Sequence, residues 1–478
     1  MSISTIFKRS LGINNRLPPH RIEVDADSGG IAFQRIVNFD IDESGGLSTR
    51  PAHEMVSDGF WQSLHSTGAR GFGVRNDELR YFYVEGDGSL SSKVIEGGVG
   101  HSLSFCSVND TTFFTSRSLF GKIENNIFVP WVAGQYVGPP TDKSFSPPFA
   151  ADLVTFYAGR TVLALDNFIA FSEPFAFSWF DLHGSSIVLD SAITAWKPIE
   201  TGMFISTETA VYFLEGKSPE SFSLRVVHDF PIIRGCVAPG RVDLALAGFQ
   251  DGGRGVAFLA RDGVCIGSPS GEVVNVTRMR VEQPSSLLWG GAALDRIFFL
   301  SSGAKGALFD YTADRYSEDK YVLDSEEDGY VQRTSLRGGI ASHYSNFPFI
   351  SFCEVNGTFY AGGPDGLFVE KAGDVPGQLL ETPMVDWGVT VEKRPRFCYI
   401  TFSGGPLIFY AKNSQGHETC RMKIFSDRAG EMDTVKVPMP RCASDRHWAF
   451  CIEDCNGAPM KIDALEVFWT VRPRGAKR

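Results

Sequence analysis

Short apolar runs, each broken by a glycine-rich turn, recur through the middle of the chain. Residues 154–165, 202–215, 255–267, 295–311 and 355–370 all read as strand, tight turn, strand. Small antiparallel sheets of this kind cannot bury both faces alone. Stacked around an axis they form a β-propeller, whose sequence mark is recurrence about every 40 to 50 residues. The pattern predicts six blades, or seven. Residues 36–41, a polar turn at 43–46 and residues 47–51 read as a hairpin that opens the ring, and residues 79–84 and 90–95 form another around Gly86, Asp87 and Gly88. Residues 112–116, 119–123 and 127–131 continue as a meander, and the Pro- and Gly-rich stretch 134–148 reads as a connector.

Two segments fall outside this rhythm. Residues 1–30 lack periodicity and contain Leu17, Pro18 and Pro19, which predicts an extended arm. Residues 397–402, 406–411, 418–425, 433–437, 446–453 and 462–471 are strand candidates with fewer glycine turns, predicting an appended C-terminal β-sandwich. The expected organisation is therefore an arm at 1–30, an all-β propeller at 31–380 and a β-sandwich at 381–478.

Composition supports strands over helices: 39 Phe, 13 Tyr and 8 Trp suit pleated surfaces, while 50 Gly and 25 Pro supply turns. A net charge of −11 disfavours wrapping nucleic acid or lying on an anionic membrane. Basic residues gather at both ends (Lys8, Arg9, Arg16, Arg21; Arg472, Arg474, Lys477, Arg478), and Asp324, Glu326, Glu327 and Asp328 form an acidic patch. Nine cysteines, several inside strand-like runs, read as small apolar residues of a chain folded in a reducing cytosol. No run reaches the ~18 apolar residues of a membrane span, and no apolar signal region opens the chain.

Candidate chemistry is sparse. Gly216-Lys217-Ser218 lacks the glycine that a phosphate loop needs at position 211, which is Val211, so it reads as a turn. Cys442, Cys451 and Cys455 with His447 show no paired-cysteine zinc spacing. Asn109, Asn275 and Asn356 fit the glycosylation pattern by chance in a chain without a signal segment. Glu173, Asp181, Asp251 and Asp262 are the carboxylates that a propeller glycosidase would use, though beside Gly and Pro they read equally as turn residues. Aromatics in 172–182 suit either a sugar-stacking platform or blade packing. The expectation is no catalytic, cofactor or metal site, and no enzyme.

Several of these segments resemble one family. Gly12-Ile-Asn-Asn15, Leu17-Pro-Pro19, Val37-Asn-Phe-Asp-Ile-Asp42 and Gly46-Leu-Ser-Thr-Arg-Pro51 are similar to the opening of the propeller-containing tail proteins of tailed bacteriophages. Residues 159–160, 167–174, 207–219 and 263–277, then Trp387-Gly388, 394–402 and 462–474, extend the resemblance over most of the chain. Ser48-Thr49 before Arg50 departs mildly from the family's hairpin. The resemblance implies a structural subunit of the virion tail, made in the bacterial cytoplasm. It would be a hub or nozzle-type ring, expected to be hexameric, that docks neighbouring tail or adaptor proteins and conducts DNA past an acidic wall during genome ejection. The alternatives are a receptor- or carbohydrate-binding propeller of the tail tip and a glycan-degrading propeller enzyme.

Overall fold

The computed structural model describes residues 2–22, 24–25, 29–42, 44–100, 102–136, 143–238, 242–244, 249, 253–281, 289–293, 296–300, 309–310, 315–316, 331–335, 340–428, 430–441 and 443–471. Among these residues the structure is strands and turns, with two short 3-10 turns at Pro19–Arg21 and Pro219–Ser221.

Seven antiparallel sheets, each built on four strands, follow one another through the described residues. Their first strands are Trp61–Ser66, Ser104–Val108, Leu153–Tyr157, Ile193–Pro198, Ile232–Val237, Trp289–Ala293 and Ser351–Val355. We number the blades 1 to 7 in that order. The larger of the two expected blade counts is the one observed. First strands of neighbouring blades touch around the axis, from blade 2 through blade 7 and back to blade 1. The contact between blades 1 and 2 is made by Ser63 Oγ, which accepts from Leu103 N at 3.0 Å, and by His65, 2.8 Å from Ser107 Oγ.

Hydroxyls on the first strands, and one on the second strand of blade 4, act as latches between blades. Ser104 Oγ accepts from Val154 N at 3.0 Å, Ser206 Oγ from Ile232 N at 2.8 Å, and Ser351 Oγ from Leu64 N at 2.7 Å. Thr194 Oγ1 donates to Ile232 O at 3.2 Å. Each bond satisfies a backbone group that the blade's own ladder leaves unpaired, which is what permits a polar atom at the tightest part of the ring.

The tight turns are two-residue loops whose twist requires positive φ. Asn125-Asn126 (φ 52 and 64), Ala158-Gly159 (49 and 77) and Asn356-Gly357 (51 and 77) are three of them, and Asn76, Asn109 and Asp166 lead others. Asparagine, aspartate and glycine are the residues that tolerate this region best.

The fourth strand of blade 7 is not contributed by the chain's end. It is Ala52–Asp58, paired antiparallel with Gly366–Lys371. The ring is thus closed by non-covalent zipping of an early strand onto a late blade, which removes two free edges at once.

The second body corrects the expected boundaries at both ends. Residues 1–30 are not an arm: Ser2–Phe7 pairs with Met460–Val471, and Arg9–Ile13 runs parallel to Gly30–Phe33. Residues 31–49 do not open the propeller, because Phe39–Ile41 and Leu47–Thr49 form their expected hairpin on the edge of Met460–Val471. One sandwich sheet runs Asp433–Pro438, Lys393–Gly404, Met460–Val471, Leu47–Thr49, Phe39–Ile41. The other runs Arg35–Val37, Leu379–Glu381, Trp448–Asp454, Leu407–Asn413, Glu418–Ile424, and joins blade 6 through a single parallel bridge between His343 and Val37. Ile6, Phe7, Phe33 and Phe39 from the first forty residues share one core with Ile400, Phe402, Phe409, Phe450 and Val467. The propeller, spanning 52–371, is inserted into a sandwich made by both ends of the chain. The first fifty residues offer strands too short to bury apolar faces alone, and Ser2–Phe7, Arg35–Val37 and Leu47–Thr49 find partners in the C-terminal strands Met460–Val471 and Leu379–Glu381.

Candidate functional site

The place where ring and sandwich meet is built from the opening hairpin. Asn38 is fully buried and sits at φ 60, a conformation that asparagine tolerates. Its Nδ2 donates to Ser345 Oγ (2.7 Å), Pro376 O (2.9 Å) and Gly377 O (3.2 Å). Its Oδ1 accepts from Ser345 N (2.9 Å) and Arg50 Nε (3.0 Å). Arg50, also buried, donates onward to Pro51 O and Ser345 O, both at 2.9 Å, with its guanidinium over the Tyr344 and Phe347 rings. The Tyr344 hydroxyl in turn donates to Asp40. Five fixed donors in a planar fork suit arginine to such a joint, where lysine would offer one point charge. Nearby, Gln378 Nε2 donates to Val375 O, Gly457 O and Ala458 O, and its Oε1 accepts from Thr49. The residues that carry the resemblance at 37–51 are therefore the clamp between the two bodies.

The four candidate carboxylates do not assemble into one site. Glu173 and Asp181, in blade 3, meet at Lys143, whose Nζ lies 2.6 Å from Glu173 Oε1 and 3.9 Å from Asp181 Oδ2. The hydrogen bond to Glu173 raises the Lys143 ammonium above its ordinary range. Asp181 Oδ1 also accepts from the backbone of His183 and Gly184, as turn aspartates do. One ammonium thus lies against both carboxylates, close to Glu173 and more distant from Asp181. Asp251 lies outside the described residues, as do the acidic patch at 324–328, the basic tail at 472–478 and Cys442.

Asp262 is elsewhere, in the two-residue turn between Arg254–Ala260 and Gly263–Gly267 of blade 5. There it faces His228, the last residue of the outermost strand of blade 4, and Cys265. His228 Nε2 is 2.9 Å from Asp262 Oδ1 and 3.6 Å from Cys265 Sγ, and the thiol is 3.9 Å from the same carboxylate oxygen. Asn275 Nδ2 donates to Asp262 Oδ2 at 2.9 Å and to its carbonyl at 2.8 Å. Against the cost of burial, the bonds from His228 and Asn275 hold the Asp262 carboxyl below its ordinary range, while burial pushes the Cys265 thiol well up. A thiol–imidazole–carboxylate relay needs the acid on one ring nitrogen and the thiol on the other. Here both face Nε2, so the trio is not arranged as a cysteine nucleophile.

The remaining motifs fall in ordinary places. Gly216 (φ 111) turns the chain after Val211–Glu215, its carbonyl accepts from Tyr157, and Ser218 caps the following 3-10 turn. Asn109 and Asn356 lead hairpin turns, whereas Asn275 braces Asp262. In the aromatic run, Phe177 packs on Phe113 and Phe156, Phe180 is buried on Trp131, and Trp179 sits edge-on to Tyr136 and Phe145; Phe175 alone of these is largely exposed. Cys451 is buried, its thiol pushed up to about 12, and among the described residues it joins no three-ligand group with Cys455 or His447.

No known family model matches the chain, and no curated protein matches it. Similar solved structures are β-propellers. Virginiamycin B lyase from Staphylococcus aureus is 10% identical with a TM-score of 0.38, over 68% of this chain and 97% of that one. The Pan2 WD40 domain of Neurospora crassa is 7% identical with a TM-score of 0.38, over 66% of this chain and 90% of that one. At such identities they bring no residue role to this chain, and the propeller rests on its own strand pairing.

Proposed function

We propose that this protein is a structural subunit of a bacteriophage tail, a hub or nozzle-type ring component that docks neighbouring tail proteins around a DNA path. The observation that supports the reading best is the clamp of Asn38, Arg50, Ser345, Pro376 and Gly377, which fixes a closed propeller inside a sandwich made by both chain ends. A ring whose blades are each held by two neighbours deforms little, and a rigid joint passes force from one body to the other. The family resemblance includes Asn38 and Arg50 of that clamp. The glycan-degrading alternative would have to work with Glu173 and Asp181 ion-paired to the single ammonium of Lys143.

Mass photometry of the purified full-length protein across a hundredfold concentration range tests this reading. A discrete closed oligomer is expected, near six times the 52.5 kDa chain mass. A monomer throughout that is retained on a host-glycan array would replace the ring subunit with a receptor-binding propeller.

A further inference from the structure

From the convergence of His228, Asp262 and Cys265 on one point at the junction of blades 4 and 5, we infer a site for a four-coordinate divalent cation of zinc type, bound by imidazole, carboxylate and thiolate with water in the fourth position. It stands apart from the tail reading and does not depend on it.

The separations lie within a few tenths of an ångström of a tetrahedral ligand shell. Bonds of about 2.0 Å to nitrogen and oxygen and about 2.3 Å to sulfur place ligand atoms roughly 3.2–3.6 Å apart. The observed edges are 2.9 Å (His228 Nε2 to Asp262 Oδ1), 3.6 Å (His228 Nε2 to Cys265 Sγ) and 3.9 Å (Asp262 Oδ1 to Cys265 Sγ). Small side-chain rotations bring all three onto one ion. The donor set of one sulfur, one nitrogen and one oxygen suits Zn²⁺ or Co²⁺ and disfavours Mg²⁺ and Ca²⁺, which take oxygen.

Three further features fit. Asn275 holds the carboxylate's second oxygen and its backbone carbonyl, the outer support that metal-bound carboxylates ordinarily have. Asn275 is itself fixed, since its Oδ1 accepts from Thr277 N and Arg278 N. The Cys265 thiol makes only the weak, long hydrogen bonds of sulfur, at 3.6–3.9 Å to His228, Asp262 and the Gly263 carbonyl, which a metal–thiolate bond would replace. Finally, the His228 and Asp262 side chains are 16% and 17% exposed, so an ion and its water reach the site from solvent.

Binding balances as follows. The thiol loses its proton to solvent, and the imidazole binds through Nε2 with its proton on Nδ1. Each Zn²⁺ bound to the neutral imidazole and the ionised carboxylate thus releases one proton. The ion would staple the end of Ser223–His228 in blade 4 to the hairpin of blade 5, adding to the latch at Ile232 and to the bonds from Arg225 to Ser270 O and from Thr201 to Pro269 O.

The test is Co²⁺ titration of the full-length protein after dialysis against a chelator, read by visible and near-ultraviolet absorption. One equivalent is expected to give the intense d–d bands of a four-coordinate ion and a thiolate-to-cobalt charge-transfer band. Cys265→Ser should lose the charge-transfer band and His228→Gln should bind at least tenfold more weakly, with Zn²⁺ displacing Co²⁺ and raising the wild-type melting temperature only. His228 lies at the rim, so His228→Gln serves if Cys265→Ser fails to fold. Absence of a stoichiometric four-coordinate signal in the wild type, or a signal unchanged in both variants, would overturn the site.

Discussion

Arg50 Nε donates to Asn38 Oδ1 at 3.0 Å, and the backbone N–H of Arg50 donates to the Asn38 carbonyl at the same distance. Two residues twelve positions apart thereby lock the opening hairpin, the entry into the ring at Arg50-Pro51, the return at Pro376-Gly377 and, through Ser345, the connector between blades 6 and 7. Arg50→Met leaves an apolar chain beside Tyr344 and Phe347 but deprives the Pro51 and Ser345 carbonyls of this donor and leaves Asn38 Oδ1 with Ser345 N alone. The expected cost is about 2–4 kcal/mol, from buried acceptors left unpaired. Limited proteolysis should then cut the connections near 51 and 376 before either body unfolds. Retention of a single cooperative transition at the wild-type midpoint would show that the clamp is dispensable.

Stability should fall with acid in a window set by His65. Its ring is half-buried, stacked on Phe105 and 2.8 Å from Ser107 Oγ, and desolvation lowers its pKa from 6.5 to about 4. Below pH 6.5 the unfolded chain takes up a proton that the folded one refuses, so stability present above 6.5 declines as the pH falls towards 4. At pH 5 this one group accounts for about 2 kcal/mol. His343, likewise lowered to about 4 by burial and by Arg35, adds to the same slope. Denaturant midpoints of wild type and His65→Gln between pH 7.5 and 5 check this: the variant's slope should be visibly shallower, and parallel slopes would refute the assignment.

Glycines inside blade strands are placed under aromatic rings. A Cβ at Gly71 would lie 2.1 Å from the Phe82 ring, whereas one at Gly97, in the same blade, would meet nothing within 4 Å. Gly71→Ala should cost about 1–3 kcal/mol by overpacking. Gly97→Ala should be neutral or stabilising by up to about 1 kcal/mol. Thermal melts of the two variants side by side decide the point, and equal effects would show that the ring over Gly71 moves aside freely.

The latch between blades 7 and 1 gives a fourth expectation. Ser351→Ala removes the acceptor of Leu64 N, for a loss of about 1–2 kcal/mol. Because that bond lies at the ring's closure, hydrogen exchange should quicken first in Ala52–Asp58 and its partner Gly366–Lys371. Uniform exchange across all seven blades would argue against closure as the weak point.

The sequence by itself determined what depends on neighbours in the chain. Alternating apolar runs and turns such as Asn356-Gly357 predict the hairpins, the all-β class and every C-terminal strand from Lys393–Gly404 to Met460–Val471, because side-chain period and turn chemistry act over a few residues. Tertiary structure alone decided which strands pair across hundreds of positions. Ser2–Phe7 on Met460–Val471 and Ala52–Asp58 on Gly366–Lys371 carry no local mark, since an edge accepts any strand of suitable length and face. The candidate metal site was hidden for the same reason. Asp262 and Cys265 share one short hairpin, but His228 enters from the preceding blade, and only blade stacking brings its ring to them.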